Sequence, residues 1–169
     1  MFYVPWTAIL AKMLAHIEGG VGILCFCQII AGTCNVLLTA YPAGWWLIAA
    51  FRLDRSPEII QLLTDIGWLQ FLGVITPYYF VVISLTIGAL CDRDENPLFP
   101  RWVGYFNGWF LVTLIPLNII FLFKTGPFAW NGIFGFYLPF VVFWVWFMVM
   151  MPSLNRAIKI LNESGRLQS

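Results

Sequence analysis

Four long stretches of the chain carry no charged residue, and the charged residues lie in the segments before, between and after them. The charge-free stretches are residues 19–51, 66–91, 102–123 and 125–155. Each is long enough to cross a membrane once, because a spanning helix needs about 20 predominantly apolar residues. The pattern predicts four transmembrane helices, at about residues 20–42, 67–91, 102–123 and 130–151.

Two breaks and two polar segments are predicted around these spans. Pro42 lies among Tyr41, Trp45 and Trp46, which favours a short return at the membrane interface, and Pro77 is expected to kink the span that contains it. Apolar residues recur at helical spacing in residues 57–66 and alternate with polar ones, which predicts an amphipathic surface helix. After Pro152, residues 154–161 are expected to form a short polar tail helix.

The N-terminal segment is apolar only from Phe2 to Ala11, a length of about 15 Å as a helix, which is half the hydrocarbon thickness. Lys12, His16 and Glu18 follow it. This suits a short interfacial helix, or else the tail of a span that begins further upstream. It does not resemble a cleaved signal, because the apolar part precedes the charges and no small-residue cleavage site follows.

The composition agrees with a membrane protein. Apolar residues make up 61% of the 169 residues and charged residues only 10%, against roughly 25% charged in an ordinary soluble domain. The net charge of +1 and the lack of a basic run argue against nucleic acid as a partner. No repeat or linker divides the chain, so residues 1–169 are predicted to form one all-α integral membrane helical bundle.

The distribution of cations predicts the orientation. With four spans, six cations fall on one side and three on the other, which places both termini in the cytoplasm by the positive-inside rule. The first group is Lys12, Arg93, Arg101, Arg156, Lys159 and Arg166, and the second is Arg52, Arg55 and Lys124.

No catalytic constellation, metal site or cofactor site is predicted. The single histidine, His16, excludes centres that need several imidazoles, and no phosphate-binding glycine loop is present. Cys25 and Cys27 point about 200° apart on a helix, so they form no two-thiol clamp. An enzyme would need a metal or haem shared with another subunit, and the balance is against enzymatic activity.

The polar residues within the spans are uncharged amides, namely Gln28, Asn35, Gln70, Asn107 and Asn118. An ion or proton pathway usually places a charged side chain at depth, so the amides argue against a transporter. They are expected to hydrogen-bond between helices, and the small residues Gly104 and Gly108 are expected to mark a helix-packing face.

The turn between the last two spans holds a single charge, Lys124, followed by Thr125, Gly126 and Pro127. We interpret it chiefly as a structural clasp in which Lys124 pairs with Glu58 or Asp65. Trp130 and Asn131 would then cap the fourth span or brace the turn against the surface helix. A lid over a ligand is the alternative.

The strings FPRWVGYFNGW (99–109) and FKTGPFAWNG (123–132) resemble those in the last two spans of a group of small, uncharacterised bacterial membrane proteins. The likeness extends more loosely to residues 49–69. It implies a bacterial plasma-membrane location and a shared fold, and it implies no activity.

Two functions are consistent with the sequence. The first is a non-catalytic accessory subunit that packs against other membrane proteins, since bulky apolar side chains exceed what four spans can bury among themselves. The second is a binding or transfer protein for a lipid, sterol, quinone or hydrocarbon, with Trp130, Asn131 and Asn107 as its expected ligand contacts.

Overall fold

The computed structural model describes residues 3–52 and 54–163, and this part of the chain contains helices and no strands. Two residues used in the sequence predictions lie outside the described residues. They are Phe2, the first residue of the apolar N-terminal segment, and the cation Arg166. The helices are α1 (Tyr3–Ile17), α2 (Ile23–Phe51), α3 (Pro57–Gly73), α4 (Thr76–Cys91), α5 (Arg101–Thr113), a 3-10 helix (Ile115–Leu122), a π-helix (Ile133–Tyr137) and α6 (Leu138–Glu163).

Four helical segments are long and apolar enough to cross a membrane. They are Ile23–Phe51, Pro57–Cys91, Arg101–Leu122 and Ile133–Glu163. The first is α2, the second joins α3 to α4, the third joins α5 to the 3-10 helix, and the fourth joins the π-helix to α6. The prediction of an all-helical bundle with four spans is confirmed.

Three prolines affect their helices differently. The helix breaks just before Pro77, where α3 ends at Gly73 and α4 begins at Thr76, so the predicted kink is present. By contrast, α2 runs unbroken through Pro42 and α6 through Pro152. The predicted return after Pro42 is therefore wrong, and the predicted tail helix is the last part of α6. Neighbouring helices commonly accommodate proline inside membrane helices.

The predicted surface helix at residues 57–66 is the first part of α3 and not a separate element. Its side chains are exposed or partly exposed, and burial begins at Gly67. The helix begins at Pro57, with Ser56 at the N-cap position and no side-chain cap hydrogen bond.

Helix α1 packs inside the bundle. Trp6, Leu10 and Leu14 are almost completely buried, and α1 packs against α2 and α4. The ring of Trp6 also meets that of Trp146 on α6, with centroids 6.1 Å apart. The apolar face predicted to meet lipid headgroups therefore packs on other helices. Its 15 residues span about 22 Å, less than the hydrocarbon core.

A tight connection makes α1 and α2 antiparallel. Gly19 adopts a positive φ of 73°, which costs glycine nothing and an L side chain about 1 kcal/mol or more. The carboxylate of Glu18 then accepts hydrogen bonds from the backbone N–H groups of Leu24 (3.0 Å) and Cys25 (2.9 Å) at the start of α2. Glu18 thus caps α2, a role that the sequence pattern did not predict.

A candidate ligand cavity beside Tyr78

A cavity of about 300 Å³ lies between α2, the break between α3 and α4, the 3-10 helix and α6. From α1, it is lined only by Tyr3, the first described residue of that helix. Its lining is almost wholly apolar and contains no charged residue. The lining residues are Tyr3, Asn35, Leu38, Thr39, Phe71, Leu72, Val74, Ile75, Tyr78, Leu114, Leu117, Phe136, Pro139, Phe140, Phe143 and Trp144.

The cavity forms where regular helix gives way to other backbone geometry. Val74 and Ile75 lie in the break between α3 and α4, and Leu114 precedes the 3-10 helix. Side chains at such points leave the regular helical rows that interdigitate between packed helices. Two of its lining residues, Phe140 and Trp144, are about half exposed, so the cavity opens at the outer surface of the bundle beside α6.

Tyr78 is the most unusual residue in the lining. It is only 3% exposed, and its ring contacts those of Phe110, Phe143 and Trp146 at centroid distances of 6.0, 5.8 and 5.8 Å. Its hydroxyl has no hydrogen-bond partner among the described residues. A buried hydroxyl left unpaired costs about 1–3 kcal/mol, so Tyr78 carries a polar group that destabilises the core.

Four of the five span amides hydrogen-bond to another helix. Gln28 accepts from Ser84 (2.8 Å), Gln70 from Trp45 (2.8 Å) and Asn107 from Trp146 (2.8 Å), and Asn118 donates to Tyr79 (2.6 Å).

Asn35 is the exception among these amides. Its backbone carbonyl accepts from the Thr39 hydroxyl at 2.9 Å, but its side-chain amide bonds to no other described residue. Asn35 is partly buried and lines the same cavity as Tyr78. The prediction that the amides link helices therefore fails only where the bundle has a cavity.

Asn107 lies in the core between α5 and α6 and not in the cavity lining. It is fully buried, donates to the carbonyl of Val103 (2.8 Å) and accepts from Trp146. Gly104, one turn earlier, lies so close to α4 that an added Cβ would be 2.8 Å from Leu90. Gly108 has more room, since the nearest atom to an added Cβ is 3.9 Å away.

The turn that carries Lys124 is braced by Trp130. The indole of Trp130 stacks on that of Trp68 in α3, with centroids 5.4 Å apart and planes 17° from parallel. The backbone reverses at Gly126, where φ is +92°. Asn131 is exposed, and the π-helix begins at Ile133, after Gly132, without a side-chain cap. Neither Trp130 nor Asn131 lines the cavity.

The predicted pairing of Lys124 with Glu58 or Asp65 is not formed. Lys124 and Glu58 are exposed, and no ion pair joins Lys124 to either carboxylate in the described part of the chain. Aromatic stacking, not charge pairing, holds the turn to α3. This is physically reasonable, since exposed ion pairs contribute about 0–1 kcal/mol.

The opposite end of the bundle is fastened by polar contacts. Arg156 on α6 donates to the carbonyls of Pro97 (3.0 Å) and Leu98 (3.3 Å) and to the side chain of Asn96 (3.1 Å). His16 lies 3.9 Å from the carboxylate of Asp94 in the same loop. These contacts tie the connection between α4 and α5 to both α6 and α1.

Within residues 3–52 and 54–163, no group of three or more His, Cys, Asp or Glu side chains is placed to hold a metal ion. All four cysteines are free thiols. The apolar, uncharged lining of the cavity suits an uncharged molecule.

The molecule is thus a multi-pass helical membrane bundle with an apolar cavity between its helices. No family model, curated protein or solved structure matches the chain. The likeness of residues 99–109 and 123–132 to a group of bacterial membrane proteins therefore stays a prediction.

Proposed function

We propose that the protein binds a small apolar molecule within the membrane, in the cavity beside Tyr78. The observation that carries the proposal is an apolar cavity of about 300 Å³ whose wall contains no charged residue and is built by side chains from several helices, Tyr78 among them. Ligand sites are typically concave and mostly apolar, with few polar groups that orient the ligand. The contacts expected from the sequence, at Trp130, Asn131 and Asn107, are replaced in this proposal by residues of the cavity lining.

The cavity volume limits what it encloses. About 300 Å³ is at the lower end of the roughly 300–1,000 Å³ found for ligand sites. A fused bicyclic ring system is of suitable size, whereas a larger lipid would extend through the opening beside Phe140 and Trp144.

Binding of decalin, a bicyclic hydrocarbon, tests the proposal. Titration calorimetry at fixed detergent concentration should show saturable binding to the wild type beyond partition into micelles. Leu117→Trp should abolish it, because Leu117 is buried and lines the cavity. Val112→Trp adds the same bulk at an exposed position and should leave binding unchanged.

Leu72→Phe provides a second cavity-filling variant in case Leu117→Trp does not fold. Identical heats for the wild type and a folded cavity-filling variant, with both decalin and its aromatic counterpart naphthalene, would overturn the proposal.

A second candidate function is that of an accessory subunit, favoured by one exposed face of α5. Trp102, Tyr105, Trp109 and Val112 recur at helical spacing and are 55%, 67%, 53% and 61% exposed. Such a row of large side chains suits lipid contact and also suits packing against another membrane protein.

Purification in mild detergent tests the accessory role. Co-purifying subunits that are lost in Trp102→Ala and Trp109→Ala, but retained in Trp144→Ala on α6, would support it. A stable lone monomer would count against it.

We further propose that the protein resides in a bacterial plasma membrane with its C-terminus in the cytoplasm. The sequence also predicts a cytoplasmic N-terminus, but Tyr3, the first described residue, lies inside the bundle beside the cavity. The six-to-three distribution of cations and the resemblance of residues 99–109 and 123–132 support this location. A reporter active only in the cytoplasm, fused to the C-terminus, should be active, and activity of a periplasm-specific reporter at the same position would contradict the orientation.

A further inference from the structure

We propose that the cavity beside Tyr78 selects an uncharged aromatic molecule over a saturated molecule with the same carbon skeleton, with Phe140 and Trp144 as the selecting residues. This inference rests on the proposed function, because it concerns the ligand of the same cavity.

Aromatic side chains are concentrated in the wall of the cavity. They make up seven of the sixteen described residues that line it, against 18% of the whole chain. The wall is therefore more than twice as rich in aromatic rings as the protein around it. These rings come from α1, α3, α4, the π-helix and α6, so a molecule in the cavity meets rings from several elements of the bundle.

Three of these aromatic residues form a connected row. Phe136, Phe140 and Trp144 follow one another at intervals of four residues from the π-helix into α6. The rings of Phe136 and Phe140 stack with centroids 5.5 Å apart and planes 16° from parallel, and the ring of Trp144 meets that of Phe140 edge to face at 6.1 Å. Because each ring packs on the next, the aromatic surface of this part of the wall is already formed before a ligand binds.

Phe140 and Trp144 combine a place in the lining with open surface. Their side chains are 47% and 52% exposed, whereas Tyr78 is 3% exposed and its ring is covered by its neighbours. Aromatic rings attract one another both in offset stacks and edge to face. An aromatic ligand therefore gains from Phe140 and Trp144 whether the face or the edge of each ring is turned toward it, and a saturated ligand gains neither contact.

The residue types in the wall also limit the charge of the ligand. No Lys, Arg, His, Asp or Glu is among the sixteen described lining residues, so an ionised aromatic molecule would lose its hydration without gaining a counter-charge. The selected class is therefore a neutral aromatic molecule. Two fused rings agree with the cavity volume of about 300 Å³.

The experiment compares naphthalene, tetralin and decalin, which share one ten-carbon skeleton and contain two, one and no aromatic rings. Binding of each probe is measured by titration calorimetry in the same detergent. Each affinity is expressed relative to the partition of that probe into empty micelles, so that differences in hydrophobicity among the probes cancel. An aromatic pair contributes about two- to tenfold in affinity beyond the area that it buries. Naphthalene should therefore bind the wild type at least about fourfold more tightly than decalin, with tetralin between them.

The double variant Phe140→Leu with Trp144→Leu should bind the three probes about equally, because it keeps apolar side chains at both positions and removes both rings. Each single variant should lose part of the preference. Both residues are half exposed, so these substitutions leave the core intact.

Two control variants separate ring contacts from other effects. Trp109→Leu removes an equally exposed ring of α5 that does not line the cavity, and it should retain the full preference. Leu38→Ala enlarges the cavity without removing a ring, and it should weaken all three probes by a similar factor.

The outcomes distinguish this inference from the proposed function. Equal affinity of the wild type for the three probes, with binding lost in Leu117→Trp, would overturn the selection and leave the cavity as a ligand site. A preference for naphthalene that survives in the double variant, or that Leu38→Ala removes as completely as the double variant does, would also overturn the selection. Absence of binding of all three probes would overturn the proposed function itself.

Discussion

The cap that Glu18 places on α2 predicts a specific loss of stability. Replacing Glu18 by Ala removes the acceptor for two backbone N–H groups, those of Leu24 and Cys25. Loss of a helix cap costs about 0.5–2 kcal/mol, and a hydrogen bond to a charged group is worth about 1.5–3 kcal/mol. Because these contacts are only partly buried, water can hydrogen-bond to the freed N–H groups and offset part of the lost stability. We expect Glu18→Ala to lower the free energy of unfolding by about 1–3 kcal/mol.

The assay is reversible unfolding in mixed micelles, in which the fraction of denaturing detergent is raised and helix content is followed. Glu18→Gln keeps one acceptor oxygen and should lie between the wild type and Glu18→Ala. Glu163→Ala is the matched control, since Glu163 is exposed and lies 3.9 Å from an equally exposed Lys159. It should change stability by less than about 0.5 kcal/mol.

Equal effects of the Glu18 and Glu163 substitutions would refute the cap. The same conclusion would follow if Glu18→Ala unfolded at the wild-type midpoint, because the start of α2 would then not depend on the carboxylate.

Three further substitutions test separate contacts by the same unfolding measurement. Asn107→Leu should lower stability by about 1–2 kcal/mol because the Trp146 indole N–H stays buried without its acceptor; an unchanged midpoint would contradict this. Trp130→Ala should lower stability by about 1 kcal/mol or more by removing the stack on Trp68, and no change would mean that the turn is held otherwise. Tyr78→Phe should raise the stability of ligand-free protein by up to about 1 kcal/mol, since it removes an unpaired buried hydroxyl. A loss of stability would show that the hydroxyl has a partner.

The four spans could be predicted because an apolar run of about 20 residues without a charge is typical of a membrane-spanning helix and rare in a soluble domain. The effect of each proline could not be predicted in the same way. Pro77 coincides with a helix break, whereas Pro42 lies inside a continuous helix. A proline always removes one backbone donor, but whether the helix then breaks also depends on its packing against neighbouring helices. Helix α2 packs against α1, α3 and α4, and these contacts are set by residues distant in the sequence.

The position of α1 was also beyond the sequence pattern. Ten apolar residues followed by charges suit an interfacial helix, and a short helix in a bundle has the same composition. The two cases differ in whether other helices offer a surface on which the short helix can pack. Here α2 and α4 do so. Gly32 on α2 lies so close to Thr7 that an added Cβ would clash with its side chain, and Gly88 on α4 approaches Leu14 equally closely.

The residues of the candidate site could not be predicted for the same reason, since their roles depend on which helices pack beside them. Asn35 and Gln28 are both uncharged amides in the first span, and the sequence gives them the same expected role. Only the packing shows that Gln28 meets Ser84 while Asn35 meets a cavity. Tyr78 follows Pro77 and could have been noted as a polar group beside a helix break, but its burial depends on rings contributed by α5 and α6.

Native mass spectrometry of the protein, gently extracted from its own host membrane, tests the central claim most directly. We expect the wild type to carry one small, neutral organic molecule in stoichiometric amount, and Leu117→Trp to arrive without it. The exposed-site control Val112→Trp should retain it. A wild-type protein that arrives without a bound molecule, or the same mass on a folded Leu117→Trp variant, would contradict the claim that the cavity beside Tyr78 is a ligand site.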